Sequence, residues 1–410
     1  MKLLIIAQHF WPEEVSGAVL ATQLAEDLVD LGHEVTFLTS APSYPKGVVF
    51  ENYKNKLFSS QNYGKVRVIR TWSYISKSKS LLSRTLNFLS FSFSSLFGGL
   101  FAGPFDVIFS YSPPLTLGIS AWLINLLKNI PWILRVEDLY PDAAIATGVI
   151  KNKFLIKLLN ALEKFLYTKA SHISLISEEF RRIIISKGGI NPDKLSVTPV
   201  WADPEEMDRA RAVSEIPEMN HLTEKFLILY SGNLGTTSNL TDLVNAADKL
   251  KTNENIKFLI VGEGVQKQNL ERLVIQKGLS NVDFVTYQDR PTYWVLMNMA
   301  DFGVVTINPD SASYSLPSKV FNIMAAQCPV LSVSPEGSEI AKLVKKHNCG
   351  VNVEPGKISE LSKQITYFYE NEGELKPLGV NGFRALNEFY SREVCIQQIY
   401  QQIQSAYFGR

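Results

Sequence analysis

Short, uninterrupted apolar runs recur along this chain, each followed by a segment whose apolar residues fall at helical spacing. A strand that is apolar at every position has to be covered on both faces. That is the condition of a parallel sheet with helices packed against each side. The run at 3–7 is the first such strand. Residues 19–31 then show helical spacing and stop at Gly32, and 35–39 is the next strand. The runs at 66–71, 107–110, 132–136 and 173–176 continue the alternation, so the first half reads as successive βαβ units.

A polar stretch at 201–223, containing Pro204, Pro217 and several acidic residues, breaks the rhythm, which then restarts. Strands are expected at 226–230, 257–261, 282–285, 302–306 and 330–333. Helices are expected at 239–250, 265–276, 292–299, 318–326 and 339–346. At 410 residues the chain exceeds the size of a single core, so two doubly wound α/β domains are expected. The boundaries read as 1–205 for the first domain, 206–224 for a linker and 225–388 for the second domain. A final helix at 391–406, within 389–410, is expected to cross back to the first domain.

Composition excludes several classes. A net charge of +1 lacks the basic excess of a nucleic-acid binder. Cys328, Cys349 and Cys395 are scattered without CxxC spacing, which fits buried thiols in a reducing compartment better than a metal or disulfide framework. Lys2 precedes only a short apolar run that Gln8-His9 interrupts, and no stretch reaches about twenty apolar residues. Neither a signal peptide nor a spanning helix is expected, and the chain is placed on the cytoplasmic side. No His/Asp/Ser constellation for hydrolysis and no zinc-type histidine spacing occurs.

Two turns carry the chemistry. The run Phe226-Leu-Ile-Leu-Tyr-Ser-Gly-Asn-Leu-Gly235 reads as a buried strand breaking into a glycine turn ahead of a helix. Leu316-Pro-Ser-Lys-Val-Phe-Asn-Ile-Met-Ala325 supplies a second helix start with a lysine. Glycines let a backbone approach phosphate closely and helix starts present amide N–H groups, so two such turns point to a diphosphate ligand. Lys319 is the candidate for the leaving diphosphate's growing charge, with a solvated lysine as the alternative. Gly232 and Asn233 would bring donors to the same phosphates, or form a plain strand-to-helix turn.

With these residues laid out, the chain resembles the retaining glycosyltransferases of family 4 with the GT-B fold, most closely the branch that builds bacterial O-antigen, capsule and colanic acid repeat units. The resemblance rests on Phe10-Trp-Pro-Glu-Glu-Val-Ser-Gly17, Glu137-Asp-Leu-Tyr-Pro-Asp142, Val200-Trp-Ala-Asp203, Tyr230-Ser-Gly-Asn-Leu-Gly235, Val261-Gly-Glu-Gly264, Ala300-Asp-Phe-Gly303 and Pro317-Ser-Lys319, in that order. Each is weak alone, and together they span nearly the full length. The resemblance implies two Rossmann-like domains facing across a cleft and transfer with retention at the anomeric carbon. It implies no metal and no cofactor beyond the nucleotide-sugar donor, read as UDP-linked. The acceptor would be a polyprenyl-diphosphate-linked glycan bound mainly by the first domain. The leaving phosphate would assist deprotonation of the acceptor hydroxyl.

Carried onto this sequence, the resemblance puts Gly17, Gly232, Asn233, Glu263, Tyr287, Tyr314, Pro317, Ser318, Lys319 and Asn322 at the donor. It puts His9, Glu137 and Asp138 at the acceptor, with Glu137 and Lys319 catalytic. The chain departs from the family twice. Family members commonly carry two glutamates eight positions apart, and those positions fall here on Tyr314 and Asn322; the amide of Asn322 could still bond a ribose diol. Many relatives have a histidine just before the aspartate of the Glu137-Asp138 pair. Glu137 could accept from a sugar hydroxyl, or pair with Arg135 or another base. Asp138 reads as a loop-ordering residue, Gly17 as an amide approach to diphosphate or a plain helix-start glycine, and His9 as an acceptor ligand or a strand-end residue.

Two segments suit a lipid surface: Lys77, Lys79 and Arg84 ahead of Phe88, Phe91, Phe93, Phe97 and Phe101, and the lysine- and leucine-rich stretch 151–169. The alternative is core-packed helices with a solvated basic face. The function that follows is transfer of an N-acetylated hexosamine or 6-deoxyhexosamine to a lipid-linked glycan at the inner membrane face. A non-hydrolysing nucleotide-sugar epimerase and a non-catalytic nucleotide-sugar binder are the alternatives.

Overall fold

The computed structural model of the protein describes residues 1–78, 80–206, 222 and 224–409. Most of the expected linker at 206–224, and Lys79 of the basic segment, lie outside the described residues. The chain divides into two compact units, Met1–Pro199 with Cys395–Arg410, and Val200–Val394.

The first unit holds an eight-stranded sheet. Its strands are β1 (Lys2–Ile6), β2 (Glu34–Ser40), β3 (Phe58–Tyr63), β4 (Val66–Thr71), β5 (Val107–Ser112), β6 (Trp132–Val136), β7 (His172–Leu175) and β8 (Leu195–Val197). They lie in the order β3-β4-β2-β1-β5-β6-β7-β8. Every pairing is parallel except β3 with β4. The central strands β1, β5 and β6 are buried almost throughout, because helices cover both faces. The chain winds from β1 towards one edge and returns to β5 on the other side of β1. The topological switch point therefore lies between β1 and β5, where α/β sheets bind ligands beyond their carboxyl ends.

The second unit repeats the plan with six parallel strands, β9 (Phe226–Ser231), β10 (Ile256–Val261), β11 (Val282–Val285), β12 (Phe302–Thr306), β13 (Val330–Val333) and β14 (Gly350–Val353). Their order, β11-β10-β9-β12-β13-β14, puts the switch point between β9 and β12. Its core joins Ile228, Phe258, Phe302, Leu331 and Ile365 among others.

The helices used below are α1 (Ser16–Asp30), α2 (Leu81–Phe101), α3 (Leu115–Lys128), α4 (Asp142–Ala146), α5 (Lys153–Lys169), α6 (Glu178–Ser186), α7 (Leu240–Leu250), α8 (Lys267–Lys277), α9 (Arg290–Met299) and α10 (Lys319–Ala325). Most expected elements appear within two or three residues of their predicted limits. β3, β8 and β14 were not anticipated. The last helix, Arg392–Phe408, lies largely in the first unit, where Gln402 donates to Thr198 Oγ1 at 2.8 Å.

Candidate active site

In the second unit the loops leaving β9 and β12 meet at the switch point. Asn308 donates its backbone N–H to the Thr237 carbonyl at 2.7 Å, which ties the post-β12 loop to the post-β9 turn. The Gly262-Glu263-Gly264 turn after β10 is pressed against the same place. A side chain at Gly262 would run into the Gly232 carbonyl, and one at Gly264 into the Leu234 backbone. These glycines are there because two loops share one space.

Lys319 reaches into this junction. Its Nζ lies 3.6 Å from the ring centroid of Tyr230 and 2.6 Å from where a Cβ on Gly232 would stand. Tyr230 is buried; its hydroxyl donates to the Asn233 carbonyl at 2.9 Å and lies 3.0 Å from Ser238 Oγ. The phenol thus fixes the glycine turn while its ring face carries the ammonium, a cation–π contact. No carboxylate lies within ion-pair distance of Lys319 among the described residues. A partly buried ammonium without a counter-ion at a switch point can receive an anion.

The geometry changes two expected contributions. The Gly232 N–H is taken by the Val261 carbonyl at 2.9 Å, and the Leu234 N–H by Glu263 O at 2.9 Å, so neither is free to cradle phosphate. What Gly232 supplies is room, since with φ +146° it has no side chain where Nζ sits. The lysine helix, α10, has only seven residues, and Ser318 precedes it without a side-chain cap bond. The electropositive feature is accordingly the Lys319 ammonium rather than a long helix dipole.

The other donor candidates scatter around this point. Asn233 is exposed, its amide folded over Gly235. Glu263 is spent in an exposed ion pair with Lys267 Nζ at 2.6 Å, so its carboxylate already has a partner. Tyr287 is exposed in the loop beyond β11. Tyr314 follows the 3₁₀ turn Pro309–Ser311, its N–H bonded to Ser311 O at 3.0 Å. It is partly buried, as are Pro317 and Ser318. Asn322 lies on α10 near Tyr293 of α9, whose hydroxyl pKa is pushed up to about 12, chiefly by burial.

In the first unit, Glu137 and Asp138 leave the carboxyl end of β6, and Gly17 stands in the first turn of α1. A Cβ on Gly17 would lie 3.7 Å from Glu137 Oε2, so these two candidates are brought together. Burial raises the Glu137 pKa, opposed by the charge of Arg135. Arg135 does not form an ion pair with it. The guanidinium is buried and spends its N–H groups on Ser174 Oγ at 3.1 Å and the carbonyls of Leu175, Thr198 and Pro199 at 3.4, 2.6 and 3.3 Å. Asp138 is pushed up to about 7, first by burial and then by the neighbouring Glu137 charge. Its carboxylate makes no hydrogen bond among the described residues, so the expected loop-ordering contact is not what holds it. The pair can therefore hold a proton near neutrality. It can donate as well as accept towards a hydroxyl or a phosphate oxygen.

His9 lies three residues beyond β1, and its Nδ1 is 2.7 Å from Glu13 Oε2. Glu13 itself went unassigned at the sequence level, as did Tyr230. Glu13 sits inside the Phe10–Gly17 motif, and a histidine four residues before a glutamate is the only signal that could have found it.

The surface of the first unit carries an unusual helix. Along α2 the buried residues are Ser83, Phe91, Ser92, Ser95, Gly98 and Gly99, mostly small. Ser92 Oγ bonds Thr116 Oγ1 on α3 at 2.8 Å, and a Cβ on Gly99 would press into Ile124. Leu82, Leu89, Phe93 and Phe101 are left 69%, 49%, 68% and 80% exposed. The small face packs inward and the large apolar face points outward, the reverse of a water-soluble helix. Phe91 is fully buried and belongs to the core, which corrects its expected place on the surface. Leu126 and Leu127 of α3 and Phe154 and Leu158 of α5 are also exposed, and the three helices pack side by side through Gly118–Leu166 and Trp122–Phe165. Their only carboxylate, Glu163, is buried against Lys187, whereas Arg84, Lys153, Lys157 and Lys164 are exposed. No helix of the described residues is long and apolar enough to cross a membrane.

Two doubly wound α/β units with these strand orders are the plan of the GT-B fold. Residues 17–201 match the glycosyl transferase 4-like domain, and residues 214–384 match glycosyl transferases group 1. The two matches together span most of the chain, and it belongs to these glycosyltransferases. The putative colanic acid biosynthesis glycosyl transferase WcaI of Escherichia coli K12 is 28% identical over 375 residues, covering 88% of this chain and 90% of that protein. Among solved structures, sucrose-phosphate synthase from Thermosynechococcus elongatus superposes with a TM-score of 0.79 at 17% identity, with both chains fully covered. HepE from Anabaena, solved with UDP and glucose, gives 0.70 at 15% identity, covering 99% of this chain and 100% of that one.

Proposed function

We propose that the protein moves a sugar, an N-acetylated hexosamine or 6-deoxyhexosamine, from a UDP-linked donor to a polyprenyl-diphosphate-linked glycan during surface polysaccharide assembly, with retention at the anomeric carbon. The observation that carries this reading is the unpaired Lys319 ammonium on the face of Tyr230 at the β9/β12 switch point. Departure of the diphosphate is the difficult step, and a preorganised cation in a partly dry site stabilises its developing charge. No metal is needed in this reading, because Lys319 carries that task. The colanic acid assignment of WcaI supports polysaccharide assembly, and the UDP held by HepE supports the nucleotide.

Glu137 and Asp138 serve the acceptor in this reading, their raised pKa values suiting hydrogen bonds to sugar hydroxyls. The outward apolar face of α2, with the exposed cations of α2 and α5, supports peripheral contact with an anionic membrane surface, where a lipid-linked acceptor is held. The test is incubation of purified protein with UDP-sugars and a bacterial membrane lipid extract in EDTA. UDP released only when extract is present supports the proposal. Free epimer formed without extract, or binding without turnover, overturns it.

A further inference from the structure

A single buried carboxylate organises the carboxyl ends of β1 and β2. Glu13 Oε2 holds His9 Nδ1 at 2.7 Å, while Glu13 Oε1 accepts the backbone N–H groups of Ser43 and Tyr44 at 2.8 and 2.7 Å. The Glu13 side chain is 2% exposed. Burial opposes its ionisation, yet the His9 contact and the two amides outweigh burial and hold its pKa below the ordinary value. An ionised carboxylate can only accept, so Nδ1 must carry a proton, and in the neutral ring Nε2 is left as an acceptor.

Nε2 has no partner among the described residues, and the His9 side chain is 35% exposed. The same carboxylate that fixes this ring also fixes Tyr44, through its amide. The two rings meet edge to face with centroids 5.4 Å apart, and Tyr44 is 42% exposed. Beneath them the buried Arg70 donates to the carbonyls of Ser40 and Trp11, the latter on the same loop as Glu13. One charged cluster therefore pins both loops and presents a directed acceptor nitrogen next to an open aromatic ring. Both stand beyond β1 and its neighbour β2, beside the β1/β5 switch point.

A nitrogen acceptor beside a half-exposed ring suits a pyranose, which offers hydroxyl donors at its rim and C–H groups on its face. Exposed apolar rings alone would suit many ligands, and the oriented Nε2 of His9 adds a directed hydrogen bond to a hydroxyl. We infer that His9 and Tyr44, clamped by Glu13, form the subsite for the acceptor saccharide, with His9 Nε2 accepting a sugar hydroxyl and the Tyr44 ring packing on the sugar face. Glu13 is a positioning residue: it acts through His9 and Tyr44 and does not touch the sugar. This inference rests on the proposed transfer to a glycan and names the group that recognises it.

The test is steady-state transfer by the full chain at saturating UDP-sugar, titrating the membrane lipid extract. His9→Ala and Tyr44→Ala are expected to raise the half-saturating extract concentration about tenfold, the scale of one lost hydrogen bond or ring contact. UDP affinity by calorimetry stays unchanged, and an unchanged circular dichroism spectrum and melting temperature report that each variant is folded. Tyr44→Phe, which keeps the ring, is expected to match wild type, and Glu13→Gln to fall between. Unchanged half-saturation in both alanine variants, with wild type active, overturns the inference alone. A loss of maximal rate without any change in half-saturation also overturns it. Absence of extract-dependent UDP release by wild type would instead overturn the parent proposal.

Discussion

Replacing Gly232 by alanine tests the phosphate site without touching its charge. The new Cβ would lie 2.6 Å from Lys319 Nζ and 3.2 Å from its Cε, on a residue whose φ is +146°. The lysine must retreat by roughly 1 Å to reach ordinary contact, and it then leaves the Tyr230 ring face, a contact worth about 0.5–2 kcal/mol. Holding a residue with a side chain at that backbone angle costs about 1–3 kcal/mol on its own. Gly278→Ala is the control, because Gly278 also has positive φ, +60°, with nothing within 4 Å of the added Cβ. Both variants should lower the melting temperature by about 2–4 °C per kcal/mol lost. Only Gly232→Ala should weaken UDP, by about 1.5–3 kcal/mol if the ammonium no longer reaches the diphosphate. Calorimetric titration of UDP into wild type and both variants decides it. Equal UDP affinity for Gly232→Ala and wild type would refute the placement of Lys319 against that glycine as the basis of binding.

The remaining predictions concern the carboxyl pair, the tyrosine and the surface helix. Asp138 has a folded pKa raised to about 7 against an ordinary 3.8, so the folded state binds the extra proton between those values. Stability should fall as pH rises across that window and stay low above it. Asp138→Asn should flatten the fall, giving a larger gain in urea midpoint at pH 8 than at pH 5; an equal gain at both would count against it. Tyr230→Phe keeps the ring under Lys319 and should leave UDP affinity within about twofold while losing about 0.5–1.5 kcal/mol of stability. Phe93→Glu with Phe97→Glu should abolish sedimentation with anionic vesicles and leave the melting temperature within about 1 °C, since both side chains face outward.

The alternation of strands and helices was legible because buried parallel strands must be apolar throughout. The same rule hid β3, whose Phe58–Tyr63 sequence is polar because it pairs antiparallel at an edge with most of its residues exposed. Lys319 and Gly232 were legible as a lysine and a glycine at two strand-to-helix turns. That Gly232 gives space rather than an amide was not, because its N–H partner, the Val261 carbonyl, lies on a neighbouring strand. Glu13 and Tyr230 escaped notice for a similar reason. Glu13 is fixed by the Ser43 and Tyr44 amides and Tyr230 faces Lys319, partners too distant in sequence to leave a pattern; only the His9–Glu13 spacing is local. The helix α2 was read as Phe-rich and surface-seeking, but which of its phenylalanines is buried depends on α3, against which its serines and glycines pack.

The most direct test of the central claim is calorimetric titration of UDP into Lys319→Met, which removes the ammonium and keeps most of the side chain's length. Wild type should bind with an affinity that falls as salt is raised, and the variant should bind about tenfold to a hundredfold more weakly, with less salt dependence. Identical dissociation constants and salt slopes for the two proteins would contradict the assignment of Lys319 to the diphosphate.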